Sequence, residues 1–314
     1  VARGLAPGDS GAEKSTFTGT GRGQSKTRPG LSAMAAGVTV SELLVRGRKT
    51  LESLEAGSLE AELLLCTSLN VDRAWIYAHG PDGVSSDLAE TYAALLQRRQ
   101  SGEPLANITG EQEFWSLPLQ VTPDVLIPRP ETELLVETVL DILTGQGPCR
   151  IADLGTGSGA VALAIDSERL EWEVHATDIS DTALGVARAN ADRLLPGRVE
   201  FHRGSWLAPL EGKFHAIVAN PPYIAEKDQH LDRGDCRFEP RIALTPGGDG
   251  LSAIQQIARD SVLFLAPGGC LAFEHGYDQG KRCRQILEQN GYTGIETRKD
   301  IEGRDRVTLG FLSG

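Results

Sequence analysis

The chain has little that would take it into a membrane. No apolar run among its 314 residues approaches the roughly 20 residues that span a bilayer, and the first residues lack the compact apolar region of a secretory signal. A cytoplasmic protein is expected. Cysteine is sparse: Cys66, Cys149, Cys236, Cys270 and Cys283 form no C-x-x-C pair and adjoin no histidines at metal-ligand spacing, so reduced structural thiols and no metal are expected. Positive charge is also in deficit. A net charge of −12 disfavours a protein whose affinity comes from neutralising many phosphates, and no nucleic-acid substrate is expected.

What is present falls into blocks. Residues 1–33 are Gly-, Ser-, Thr- and Arg-rich with almost no large apolar residues, a composition that cannot build a core. A disordered extension over 1–37 is expected, with Met34 standing where patterned sequence begins. Over 38–106 apolar residues recur at helical spacing, as in Leu43-Leu44, Leu63-Leu64-Leu65 and Leu88-Tyr92-Leu95-Leu96, which predicts a small helical domain. A hairpin linker follows over 107–128.

From residue 129 to 314 short apolar runs alternate with amphipathic stretches, the pattern of a parallel sheet covered by helices. Strands are expected near 150–154, 173–177, 199–202, 214–219 and 269–274. Helices are expected near 160–168, 181–194, 250–265 and 278–290, and a terminal hairpin over 293–298 and 305–311.

Three features point to an adenosine-bearing cofactor. Gly155-Thr156-Gly157-Ser158-Gly159 follows an apolar strand and opens a helix, a turn where missing side chains let the backbone approach a ligand. Asp178, about 20 residues on, ends the second strand and is placed to accept from ribose hydroxyls, although a helix N-cap would use the same residue type. Trp206 follows the third strand, where a strand-end loop presents it to an adenine face. These features suit a nicotinamide dinucleotide as well as S-adenosylmethionine.

The fourth strand decides between them. It delivers Asn220-Pro221-Pro222-Tyr223 at the edge where α/β sheets bind ligands. Hydride transfer has no use for this motif, whereas methyl transfer to a planar nitrogen does. That nitrogen gains positive charge as it attacks, so acceptors must meet its N–H groups: the Asn220 side-chain oxygen and the Pro221 carbonyl qualify. Tyr223 is expected to stack on the planar acceptor. An S-adenosylmethionine-dependent N-methyltransferase follows, its acceptor an amide or an amine. A base-flipping adenine-N6 methyltransferase and a non-catalytic binding module on the same fold are the alternatives.

The chain resembles the release-factor glutamine methyltransferases from Val38 to its end. The likeness rests on Ile108-Thr109-Gly110, Glu113-Phe114-Trp115, Ile127 to Glu133, the glycine loop and Asn220 to Tyr223. It continues in Arg237-Phe238-Glu239-Pro240-Arg241, Gly248 to Leu251, Glu274-His275-Gly276 and Arg306 to Gly310. The resemblance implies a Rossmann-like, seven-stranded class I methyltransferase sheet with its last strand antiparallel, joined by a β-hairpin to a helical substrate-recognition domain. It implies S-adenosylmethionine bound by Gly155 to Gly159, Asp178, Trp206 and Asn220, with Asn220 to Tyr223 gripping the acceptor. That acceptor is the Gly-Gly-Gln glutamine of class 1 peptide-chain release factors, the partners of a monomeric enzyme. Glu239 and Arg241 read either as a solvated pair or as a clamp on the protein substrate, and His275 as a structural histidine.

Overall fold

The computed structural model describes residues 37–313; the expectation for the N-terminal extension lies outside this range save for Gly37. Helices α1 (Val40–Thr50), α2 (Gly57–Leu69), α3 (Arg73–Ala78), α4 (Ser86–Gln100) and α5 (Leu105–Thr109) form the helical region. A full capping box at Thr39 and Glu42 starts α1, satisfying donors that the first turn leaves free. The apolar stripes of these helices meet in one cluster built on Leu43, Leu64, Leu65 and Tyr92. The Tyr92 hydroxyl donates to the Ala61 carbonyl at 3.0 Å, so its burial leaves no polar atom stranded.

Strands β1 (Glu111–Phe114) and β2 (Leu117–Gln120) form the hairpin. Its turn residues Trp115 and Ser116 both have positive φ, the twist that suits a two-residue connection. The sequence suggests only a connector, but Phe114 and Leu119 belong to the core cluster of the large sheet. Asn190 binds the hairpin edge on both sides, accepting from Gln120 N at 2.7 Å and donating to Gln120 O at 2.9 Å.

The large sheet comprises β3 (Arg150–Leu154), β4 (Glu173–Asp178), β5 (Val199–Arg203), β6 (Phe214–Ala219), β7 (Leu265–Glu274), β8 (Tyr292–Lys299) and β9 (Asp305–Leu312). Its order is β5-β4-β3-β6-β7-β9-β8. β3 to β7 run parallel, and β9 lies antiparallel between β7 and β8. The expected seven-stranded sheet is present. Helices α6 (Glu133–Ile142), α7 (Ala160–Glu168) and α8 (Asp181–Leu194) cover one face, while α10 (Ser252–Ser261) and α11 (Gly280–Gln289) cover the other; α9 (Arg241–Leu244) is a single turn in the loop after β6.

Two boundaries depart from expectation. The helix expected over 250–265 is shorter because Gly250 has φ 83° and cannot lie in it. β7 starts earlier than expected, with a register shift that leaves Leu265 opposite Phe214 and Cys270 opposite Ala216. Gly268, at φ 75°, supplies the left-handed residue this bulge needs.

The order reverses around β3, whose neighbours β4 and β6 are reached by chains leaving in opposite directions. Ligand crevices form outside the C-terminal ends of strands at such a switch point.

Candidate active site

A cavity of about 580 Å³ opens there. Its walls include Gly155 and Gly157 after β3, Asp178 after β4, Trp206 after β5, and Asn220 and Pro222 after β6. Four successive strand ends thus bring together the residues that the sequence spreads over four segments.

The glycine turn is held from below. Gly155 N and Thr156 N both donate to the Thr177 carbonyl, at 2.8 and 2.9 Å. Gly155 has φ 73° and Gly157 φ 57°, conformations that a side chain would strain. The Trp206 ring lies over Gly155, where an added Cβ would meet it at 3.1 Å; at Gly157 a Cβ would meet nothing but the cavity. Thr156, Ser158 and Gly159 do not line that cavity. Thr156 donates its hydroxyl to Asp153 at 2.6 Å, the Ser158 carbonyl accepts from Asn190, and Gly159 is the N-cap of α7. These three shape the turn.

Asp178 receives Gly157 N on one carboxylate oxygen and Ser180 N on the other, each at 2.9 Å. The N-cap of α8 is Ser180, whose hydroxyl accepts from Ala183 N. Asp178 is therefore not consumed as a cap. Each of its oxygens keeps a second lone pair for a ligand. Behind the turn, burial pushes the Asp153 carboxyl up to about 7.

Asn220 is oriented by a chain of hydrogen bonds. Its Nδ2 donates to Thr132 Oγ1 at 3.1 Å. The Thr132 hydroxyl donates in turn to Glu274 Oε2 at 2.6 Å, so its oxygen is left to accept. Tyr223 Oη donates to Glu274 Oε1 at 2.9 Å. Glu274 is fully buried; burial pushes its carboxyl above the usual range, while both hydroxyls and Arg306 act the other way. Burial, then Glu274, raises the Tyr223 phenol well above its ordinary value. The phenol is a neutral donor at physiological pH.

Asn220, a residue of the cavity wall, thus gives one N–H to the protein and leaves its side-chain oxygen without a protein donor. Neither Asn220 Oδ1 nor the Pro221 carbonyl takes a hydrogen bond from any described residue. Pro221 is buried, and Pro221 and Tyr223 stand behind the cavity wall that Asn220 and Pro222 form. The expected stacking role of Tyr223 is not in place in this structure: its hydroxyl is tied to Glu274, it does not line the cavity, and its carbonyl accepts from Gln279 at 3.0 Å.

Sequence reading missed Thr132 and Glu274 as parts of this assembly, although both lie in quoted blocks. Only Glu274 carries a signal, an acid at the end of the apolar run Leu271-Ala272-Phe273; Thr132 sits among charged residues and carries none. Glu239 proves to be half of a clamp within the chain. It is buried, accepting Arg129 at 2.5 Å and Ile127 N at 2.9 Å, and so joins the interdomain linker to the loop after Tyr223. Arg241 pairs instead with exposed Asp232. His275 is satisfied at both ring nitrogens by Gly276 O and Thr308 Oγ1, each at 2.8 Å.

Two family profiles match the chain: the PrmC N-terminal domain over residues 42–110 and the methyltransferase small domain over 130–249. The release factor glutamine methyltransferase of Coxiella burnetii is 48% identical over 252 residues, covering 80% of this chain and 90% of that protein. The enzyme of the same name from Burkholderia pseudomallei is 46% identical over 265 residues, 82% of this chain and 93% of that one. The chain belongs to the release factor glutamine methyltransferase family. Membership extends across both the helical region and the sheet, so the likeness is not confined to a cofactor-binding fold. Among solved structures, a methyltransferase from Pyrococcus furiosus aligns with a TM-score of 0.50 at 16% identity, covering 71% of this chain and all of that one. At that distance the likeness concerns the fold alone.

Proposed function

We propose that this chain methylates the glutamine side-chain amide of the Gly-Gly-Gln motif in class 1 peptide-chain release factors, in the cytoplasm, using S-adenosylmethionine and yielding N5-methylglutamine. The observation that carries the reading is the amide of Asn220, anchored through its nitrogen on Thr132 with its oxygen left free of protein donors in the cavity wall. The family's relatives support the choice of glutamine over adenine, and the acidic chain supports a protein acceptor.

The cavity fits the cofactor. The left-handed glycines leave a cradle that a Cβ at Gly157 would fill, Asp178 has lone pairs for the ribose hydroxyls, and Trp206 walls the adenine side. When bound, S-adenosylmethionine supplies an electrophilic methyl group on a sulfonium and leaves as a neutral thioether.

The protein's part is orientation and charge. A glutamine amide nitrogen is a poor nucleophile because its lone pair is delocalised, and it turns positive as the N–CH₃ bond forms. Asn220 Oδ1 accepts one of its N–H groups, and the Pro221 carbonyl, free of protein donors just behind the Asn220–Pro222 wall, accepts the other once the acceptor displaces that wall, holding the lone pair toward the methyl group and stabilising the growing charge. Pro221 and Pro222 restrict the backbone that aims them. Rotation of the Tyr223 side chain or approach of the acceptor above it brings the aromatic face into use. No general base is required, since the amide proton becomes acidic once the methyl group has moved and can leave to solvent. The helical region over 38–106, with the linker clamped by Glu239, acts as the recognition domain for the release factor.

Transfer of labelled methyl from S-adenosylmethionine tests the proposal, with a release factor, its Gln-to-Ala loop variant and duplex DNA as acceptors. Label on the release factor alone is expected. Label on DNA, or equal label on the loop variant, overturns it.

A further inference from the structure

Along the chain no histidines stand at metal-ligand spacing, but β4 and β5 bring two together. Their parallel register sets His175 opposite Glu200 and Thr177 opposite His202, which places His175, Glu200 and His202 on one face of the sheet. It is the face that packs His175 against Phe214, with ring centroids 5.5 Å apart. The opposite face of these strands is covered by α7 and α8. On the histidine side the crossover from β5 to β6, Gly204 to Lys213, contains no helix, so this corner of the sheet is left open.

The three side chains converge. His175 Nδ1 lies 3.1 Å from His202 Nε2 and 3.5 Å from Glu200 Oε2, and His202 Nε2 lies 3.8 Å from that same oxygen. Ligands held about 2.0–2.2 Å from a tetrahedral cation are separated by roughly 3.3–3.6 Å. The triangle is therefore already close to the face of such a tetrahedron. His175 is buried, which fixes its ring, while His202 is half-buried and Glu200 exposed.

We propose that His175, His202 and Glu200 form a binding site for a divalent transition-metal cation of the zinc type, with water in the fourth position. Two imidazoles and a carboxylate are a ligand set suited to zinc and its neighbours rather than to calcium or magnesium. The outer groups complete it. Glu173 Oε1 lies 2.6 Å from His175 Nε2; a carboxylate has no proton to give, so the imidazole donates, and Nδ1 is left with its lone pair toward His202 and Glu200. Carboxylates orient metal-bound histidines in this way. In the free protein His202 Nε2–H donates to His175 Nδ1. On binding, His202 carries its proton on Nδ1 instead, and both imidazoles ligate as neutral groups. The Arg150 Nε–H is aimed at both Glu173 Oε1, at 2.9 Å, and His175 Nε2, at 3.1 Å; with Nε2 carrying its proton toward the nearer carboxylate, Arg150 is left to serve Glu173, where it offsets part of the negative charge and keeps the affinity below that of a four-ligand structural zinc site.

The test is a titration of the full chain, freed of any affinity tag and of metal by chelator, with Co²⁺ followed by visible absorption and with Zn²⁺ followed by calorimetry. One equivalent is expected to bind with the d–d bands of tetrahedral cobalt and without the intense near-ultraviolet bands of thiolate ligation. His202→Ala, at a half-buried position, and Glu200→Ala, at an exposed one, should abolish the bands while melting close to the wild type in metal-free buffer. Glu173→Gln should weaken binding ten- to a hundredfold, the usual effect of removing such an orienting group. Absence of a tetrahedral cobalt spectrum, or an unchanged titration in His202→Ala, overturns the site. Methyl transfer is not needed for any of these readouts, so this inference stands or falls apart from the proposed activity.

Discussion

Asn220 Nδ2 rests on Thr132 Oγ1 at 3.1 Å, and this one contact anchors the amide by its nitrogen and leaves its oxygen without a protein donor. An asparagine side chain is nearly symmetric in shape but opposite in hydrogen-bond character at its two ends. Thr132 breaks the symmetry because its own proton is committed to Glu274. Thr132→Val should therefore lower kcat for release-factor methylation on the order of 10²-fold, in line with the loss of a preorganised polar group, with little change in S-adenosylmethionine affinity. Thr132→Ser should recover most of the rate. Steady-state kinetics together with calorimetric cofactor binding would show this, and equal rates for valine and serine variants would contradict it.

Asn220→Ala removes the acceptor itself. The expected loss is on the order of 10² to 10³ in turnover with an unchanged circular dichroism spectrum. A near-wild-type single-turnover rate would remove Asn220 from the mechanism.

Gly157→Ala places a methyl group in the cavity at a residue with φ 57°. About 1 kcal/mol of backbone strain is expected, as a small fall in Tm. The fall in cofactor affinity should be much larger, at least tenfold, because the added Cβ meets the ligand and no protein atom. Isothermal titration with S-adenosylmethionine separates the two effects.

Arg129→Ala leaves the Glu239 carboxylate buried without its cation. Breaking a buried pair in this way costs about 3 kcal/mol. Thermal denaturation of Arg129→Ala and of the double variant Arg129→Ala/Glu239→Gln checks it: the double variant should be the more stable of the two.

Burial of the Asp153 carboxyl makes stability depend on pH. Its carboxyl titrates near 7 in the fold against 3.8 normally, so between these values the folded chain holds more protons than the unfolded one. This group's contribution to stability is present at low pH and is lost as pH rises from about 4 to about 7. Relative to Asp153→Asn, the wild type should thus lose Tm as pH is raised from 5 to 8. A difference independent of pH would show that the carboxyl titrates normally.

Much of this architecture is legible in the sequence because its signals are local. The apolar runs of β3, β4 and β6 and the helical spacing of α7 and α8 fall where expected, since each element's burial is written in its own residues. The glycines and Asp178 are legible for the same reason: turn geometry and strand ends are short-range. Thr132, Glu274 and the Arg129–Glu239 pair are not, because their roles arise from contacts more than a hundred residues apart. The hairpin was legible as a hairpin, but its place in the catalytic core was not, as its four-residue strands carry little periodicity. Tyr223 shows a further limit. Its residue type suits both stacking and hydrogen bonding, and the buried carboxylate that engages its hydroxyl comes from a distant strand.

The helix-free passage from β5 to β6 has a consequence for how the cavity is sized. It must cross from the sheet's edge to the far side of β3, and within Gly204 to Lys213 it also folds Trp206, at φ 51°, over Gly155. Trp206 stands three residues after β5, so its place over Gly155 is set by a short tether. A deletion or insertion of even one residue would act like a change of gauge, moving the adenine-side wall with respect to a glycine turn that β3 and β4 hold still.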